Sequence, residues 1–211
     1  AVSSMIVRTN GVDFAPAYWP WTWPVVETLL FNTEILESHN RTEQRIALHG
    51  GIPRSQFRTT VLLASDEEVA AFDAVADAWL KRPWPAPLWP QAQWHTSSLS
   101  AGTDRIELDT RYADFRDDSY GLIWQPDRSE IIKIAAKSDT SLTLGTDLAN
   151  DFVRGKWIMP LRRGYVLDVA AKQRLIGGAA PVEMTRLVTD NAALTGYVPQ
   201  GVYVGTVVLV Y

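Results

Sequence analysis

The sequence predicts a mainly β protein of the α+β class: an N-terminal β-hairpin or sheet with one long amphipathic helix, followed by a small β-barrel or sandwich. Three observations carry this. Short segments that alternate apolar and polar residues recur along most of the 211 residues. One segment alone, after Ser65, holds a strong helical spacing. From residue 98 onward, clusters of turn-forming residues interrupt the chain at short intervals.

Taken in order, "AYWPWTWPVVETLL" (17–30) sets Trp19, Trp21 and Trp23 on alternate positions with Pro20 and Pro24 between them, which is an extended pattern. Pro24 near a first helical position, with Val26, Leu29, Leu30 and Ile35 inward, predicts a short helix over about 24–38. "RTEQRIALH" (41–49) and "SQFRTTVLL" (55–63) alternate in period two around the turn "GGIP" (50–53), and so predict a β-hairpin over 41–63. Ser65 and Glu68 form a capping box, and Asp66, Glu67 and Glu68 suit a helix N-terminus. Val69, Phe72, Val75, Ala76, Trp79 and Leu80 then make an apolar stripe that ends where Pro83 disfavours helical geometry at Arg82.

"PWPAPLWPQAQW" (83–94) is too rich in proline for a helix or a central strand. It predicts a semi-rigid connector over 83–95 that separates a first part, 1–95, from a second, 96–211. Strands are expected at 104–109, 120–125, 130–136, 141–145, 155–161 and 165–171, several of them separated by turn clusters such as "KSDTS" and "RRG". Two more follow at 182–190 and 202–211. The last is an apolar strand whose edge needs a partner.

Composition narrows the function classes. A formal charge of -4 argues against a general nucleic-acid binder, so no sequence-specific nucleic-acid partner is expected, and no apolar run is long enough to insert in a membrane as a helix. The first residues lack the basic-then-apolar pattern of a secretory signal, so synthesis in the cytoplasm is expected. With no cysteine, the fold rests on packing, to which assembly can add. Nine tryptophans exceed the needs of a core this size, and tryptophan is enriched at contact surfaces.

No catalytic string, cofactor cradle or metal-ligand spacing stands out. His39, His49 and His95 are scattered, and the paired glycines at 50–51 and 177–178 lack the strand–loop–helix context of a phosphate site. The stretch "DTRYADFRDDSY" (109–120) offers Asp109, Asp114, Asp117 and Asp118 among Tyr112, Phe115 and Tyr120, the raw material of a glycosidase. The interleaved Arg111 and Arg116 favour a self-neutralised loop instead. Arg41, Arg45, Arg54 and Arg58 give the hairpin a cationic face, either solvated or matched to a charged partner. Trp79, Trp124 and Trp157 fall at core positions. Trp19, Trp21, Trp23, Trp84, Trp89 and Trp94 lie in Pro-bounded segments, where aromatic side chains anchor one domain or subunit on another.

"RTEQRIAL", "PRSQF" and a capped helix ending "AWLKRPWPAPLWP" together resemble the N-terminal portion of minor tail proteins of long-tailed bacteriophages, the distal-tail or tail-tip components. In these a "G-x-E-Q-R" strand, a "P-R" strand and a helix recur. The strings "LSAGTDRIELDT", "ADFR" and "MPLR" are similar to the barrel that follows in some of them, so the resemblance spans roughly 18–170, with Thr42 where a glycine is expected. It implies a non-enzymatic virion protein, assembled in the host cytoplasm into a ring of six or three copies. Such a ring joins the tail-tube protein to the hub and receptor-binding tip proteins. Rings close through head-to-tail interfaces. Under that reading Trp19, Trp21, Trp23, Trp84, Trp89, Arg45, Arg54 and Arg58 are the expected interface residues. The alternative is a carbohydrate-binding β-module that recognises a bacterial surface glycan.

Overall fold

In a computed structural model that describes residues 7–9, 12–14, 19–30, 33–37, 43–47, 54–79, 84–153, 155–169, 180–188 and 206–210, the protein is mainly β, with a large antiparallel sheet and a single α-helix among the described residues. Strands β1 (Val7–Thr9) and β2 (Val12–Phe14) pair with each other. Then follow β3 (Trp21–Leu30), β4 (Thr33–Glu37), β5 (Glu43–Ala47), β6 (Arg54–Leu63) and helix α1 (Asp66–Trp79). After the helix come β7 (Trp84–Pro87), a 3₁₀ turn at Trp89–Gln91, and β8 (Gln93–His95). The chain continues through β9 (Arg105–Glu107), β10 (Ser119–Gln125), β11 (Arg128–Ser138), β12 (Ser141–Leu144), β13 (Lys156–Val169), β14 (Ala180–Val188) and β15 (Thr206–Val210). The main sheet runs β15-β3-β6-β14-β13-β10-β11-β12-β9, with β7 and β8 added on β13.

Several expectations are corrected by this topology. The segment 24–38 is not helical: it contributes to β3 and β4. Trp21, Val25 and Leu29 are buried at intervals of four, which imitates a helix. The interval arises because β3 gains two residues on β6 between Thr22 and Val26, and because Glu27 occupies the next inward position, opposite Phe57. The β-branched Val25, Val26 and Thr28 favour the strand. The hairpin expected over 41–63 has the right strands and the wrong partners. β5 pairs with β4, and β6 lies between β3 and β14.

"RRG" (162–164) is not a turn either, because β13 runs through it for 14 residues. Leu161 faces Tyr120 on one edge and Pro87 on the other, and Gly164 faces Val188 and Trp84. β13 therefore carries β10 and then β14 along one edge, with β8 and β7 along the other. The 83–95 segment is extended, as expected, but its strands are hydrogen-bonded to β13 rather than bridging free space. The two C-terminal strands, expected with the second part, pair back onto the first: β14 on β6 and β15 on β3.

Helix α1 forms as its capping residues predict. The Glu68 N–H donates to Ser65 Oγ at 3.2 Å, and Glu68 Oε2 accepts from the Ala64 N–H at 2.6 Å. Its stripe buries Val69, Phe72 and Val75. Trp79 Nε1 and the rest of that side chain, like Leu80, lie outside the described residues. Val69 and Phe72 pack into a first core with Trp21, Val25, Phe57, Val61, Leu63, Ala180, Val182 and Met184. A second core gathers Leu99, Ile106, Phe115, Ile123, Ile132, Ile134, Leu142, Phe152 and Ile158. Each fully buried side chain of this kind stabilises the fold by about 1.5–3 kcal/mol.

Candidate functional site

The tryptophans divide into three groups. Trp21 is 6% exposed and packs on Phe57 at 5.5 Å, with the buried Arg186 guanidinium 5.2 Å from its ring centre. Burial lowers the Arg186 pKa to about 10. Trp19 is half-buried against Phe72, 5.5 Å away. Both serve the chain's own first core, so Trp21 has no surface left to offer a partner. Trp23, at the bulge two residues on, is 63% exposed. The period-two pattern therefore breaks inside the strand, and the three indoles do not share a face.

The second group is a row. Trp124 on β10 is the register partner of Trp157 on β13, and Trp157 is the partner of Trp94 on β8. Directly opposed residues share one face of a sheet. Trp89 stands edge-on to Trp124 at 5.3 Å, and Trp94 edge-on to Trp157 at 5.1 Å, geometries that suit the ring quadrupoles. Trp124 and Trp157, expected in the core, are half-buried and pack with Trp89 against a further core cluster, Leu122, Ile131, Met159 and Leu161, on the face away from the second core. That explains why "GLIW" and "KWIMPL" are apolar at successive positions: the sheet is covered on both sides there. Of this row, Trp94 alone is more than half exposed, at 54%.

Beside Trp94 opens a cavity of about 770 Å³, lined also by Gln125, Asp127, Arg128, Asp151 and Gly155. The Trp94 ring lies so close to Gly155 that a Cβ there would come within 2.1 Å of Cζ2. Gln125 Nε2 donates to the Gly155 carbonyl at 3.1 Å, fixing that strand end. Arg128 donates from Nη1 to the Asp151 carbonyl at 2.9 Å and from Nε to Asp127 at 3.3 Å. Asp151 Oδ1 accepts the Ala101 N–H at 2.7 Å.

The acidic loop is a structural device. Asp114 receives Arg116 through Nε at 2.8 Å and Nη2 at 2.7 Å, and the buried Arg162 through Nη2 at 2.9 Å. Its own N–H donates to Gln91 Oε1 at 2.7 Å, which ties the loop to the 3₁₀ turn. Arg162 also donates to the Asp114 carbonyl. Asp109 is chelated by Arg111 at 2.8 and 3.0 Å, and those hydrogen bonds hold its carboxyl down to about 2. A glycosidase acid needs the opposite shift. Phe115 is buried below the loop while Tyr112 stands exposed above it.

Of the arginines singled out by sequence, Arg58 is exposed and paired with Glu183, and Arg54 is half-buried. The side chains of Arg45 and Trp84 lie outside the described residues, as do His39 and His49. His95 on β8 contacts the Glu107 carbonyl through Nε2 at 3.1 Å. Burial, with Lys156 nearby, holds its pKa below the usual histidine value. Lys156 is itself buried and donates to the carbonyls of Ser97 and Phe152 at 2.6 and 3.0 Å.

Trp94 is the residue that sequence reasoning placed wrongly. A three-residue strand is too short to show alternation, and the prolines around it point to a connector. The doubly apolar strands at 120–125 and 155–161 held the one available signal, since something had to cover their second face. Compared with known proteins, the chain matches no family model and no curated protein.

Proposed function

We propose that this chain is a structural, non-enzymatic component of a bacteriophage tail tip. In this reading six or three copies close into a ring in the virion, joining the tail-tube protein to the hub and receptor-binding apparatus, with assembly in the host cytoplasm. The supporting sequence pattern is the succession of an "EQR" strand (β5), a strand opened by Arg54 (β6) and a capped helix (α1). A β-rich second part follows, which we read as the small barrel of such proteins.

The observation that carries the proposal is the outer face of the β6–β14–β13 sheet. Helix α1 packs on the inner face with Val61, Leu63 and Val182. On the other face, Leu62 is 47% exposed, Leu167 54% and Tyr165 38%, with Arg58 and Glu183 paired among them. Trp23, from the bulge of β3, adds a fourth large apolar side chain to the accessible surface. Large apolar side chains gathered on one sheet face mark a contact surface in a soluble chain. A head-to-tail neighbour would cover them, and ring closure would repeat that contact around an axis.

The test is negative-stain microscopy with light-scattering mass at high micromolar concentration, on the natural protein and on Trp23→Ala and Leu62→Lys variants. Closed rings that disappear in the variants, with circular dichroism unchanged, are expected. A chain that stays monomeric even with its tube protein added, or rings indifferent to both substitutions, would remove the proposal. Because Trp21 is buried, it belongs with the folding controls rather than with the interface variants.

A further inference from the structure

The cavity beside Trp94 has a chemistry distinct from the apolar sheet face. One wall is a half-exposed indole held in a single pose. Its edge meets Trp157, and its six-membered ring rests on Gly155, where any side chain would collide with it. A loose surface tryptophan has neither constraint. The other wall sets Pro126 and the exposed Val153 beside charges of both signs, the Asp127 and Asp151 carboxylates and the Arg128 guanidinium. Arg128 is cross-tied to the Asp127 carboxylate and to the Asp151 carbonyl, so its remaining N–H groups have a fixed orientation.

We propose that this cavity is a saccharide site, in which a neutral sugar ring stacks on Trp94 and its hydroxyls pair with Asp127 and Arg128. The C–H face of a pyranose is apolar and nearly flat, and it carries a slight positive potential that suits an indole face. Adjacent sugar hydroxyls both donate and accept, and a carboxylate beside a guanidinium answers both roles. Among the described lining residues two carboxylates stand against one guanidinium, a balance that favours a neutral ligand over phosphate backbones and acidic polysaccharides. A volume of about 770 Å³ lies in the range of small-molecule sites. The site lies at the Gly155 end of β13, at the far end of that strand from Tyr165 and Leu167, so the inference stands or falls apart from ring assembly.

The experiment is binding of the full chain to a printed array of neutral and acidic oligosaccharides, followed by titration of the best neutral probe against intrinsic tryptophan fluorescence. Trp94→Ala should weaken that probe at least about tenfold, or roughly 1.4 kcal/mol. Trp94→Phe should recover part of the loss. Asp127→Lys, a substitution on the exposed surface, serves as a second variant with little risk to the fold, and it should weaken the same probe. Failure to bind any neutral glycan, a preference for acidic ones, or equal binding by folded Trp94→Ala and Asp127→Lys variants would overturn the proposal. Capture of a protein partner through Trp94 and Val153, with no glycan bound, would also overturn it.

Discussion

The two cores are built in contrasting ways. Every residue of the second lies between Leu99 and Ile158, so one continuous stretch of chain folds onto itself through antiparallel neighbours. The first collects Trp21 and Val25 from β3, Phe57 and Val61 from β6, Phe72 from α1, and Ala180, Val182 and Met184 from β14. Its central pairing sets Val61 against Val182, across most of the chain. The same residue type is also used differently in the two halves. Trp21 fills the first core, whereas Trp124 and Trp157 roof the outside of the second. Local contacts cost little loop-closure entropy and distant ones cost more, so the first half depends more on each large side chain it holds.

That contrast can be broken by substitution. Trp21→Ala should destabilise the protein by about 4 kcal/mol, because it removes a buried ring and exposes the Arg186 guanidinium to a cavity. Trp157→Ala, on the half-buried outer row, should cost clearly less in the same urea-unfolding measurement. Equal losses would mean that both halves depend alike on their indoles. Asp114→Asn comes next, at about 3 kcal/mol, since it strips the buried Arg162 of its carboxylate while leaving the loop's size unchanged. A loss near zero would show that the Asp114 carbonyl alone satisfies Arg162.

The smallest effect is a pH dependence at the β8 end of the second core. Burial keeps the folded pKa of His95 below its ordinary value of 6.5. The unfolded chain then takes up a proton that the folded chain refuses, so stability falls as pH drops below about 6.5. Urea midpoints at neutral pH and near pH 5.5 should converge in His95→Gln relative to the natural protein. An unchanged difference would assign the acid limb to other groups.

The sequence was readable where partners are near neighbours. Strands at 104–109, 120–125, 130–136 and 141–145 and the capped helix at 65 all follow from spacing of apolar residues; these strands find partners nearby, and the helix is marked by its own capping residues. It was not readable where pairing is remote. Nothing in 41–63 announces that β6 will lie between β3 and β14 instead of folding back on β5. "RRG" looks like a turn because two arginines and a glycine are usually exposed, yet Asp114 makes Arg162 tolerable inside a strand. Among the expected interface residues, exposure separates Trp23 and Arg58 from the buried Trp21, and no rule of spacing distinguishes them. Trp94 was hidden by the brevity of its strand.

Strand β13 adds a mechanical consequence. Its first half holds Ile158 in the second core, its second half holds Val166 beneath the helix, and β7 and β8 are stitched along its free edge. A proline-rich connector between two bodies would act as a hinge, but here the segment is hydrogen-bonded to the strand it accompanies. Tension along the strand loads many backbone hydrogen bonds in shear at once instead of opening them one by one. Load applied at the cavity end of β13 is therefore shared with the four strands paired along it, β8, β10, β7 and β14, before it reaches the residues under the helix.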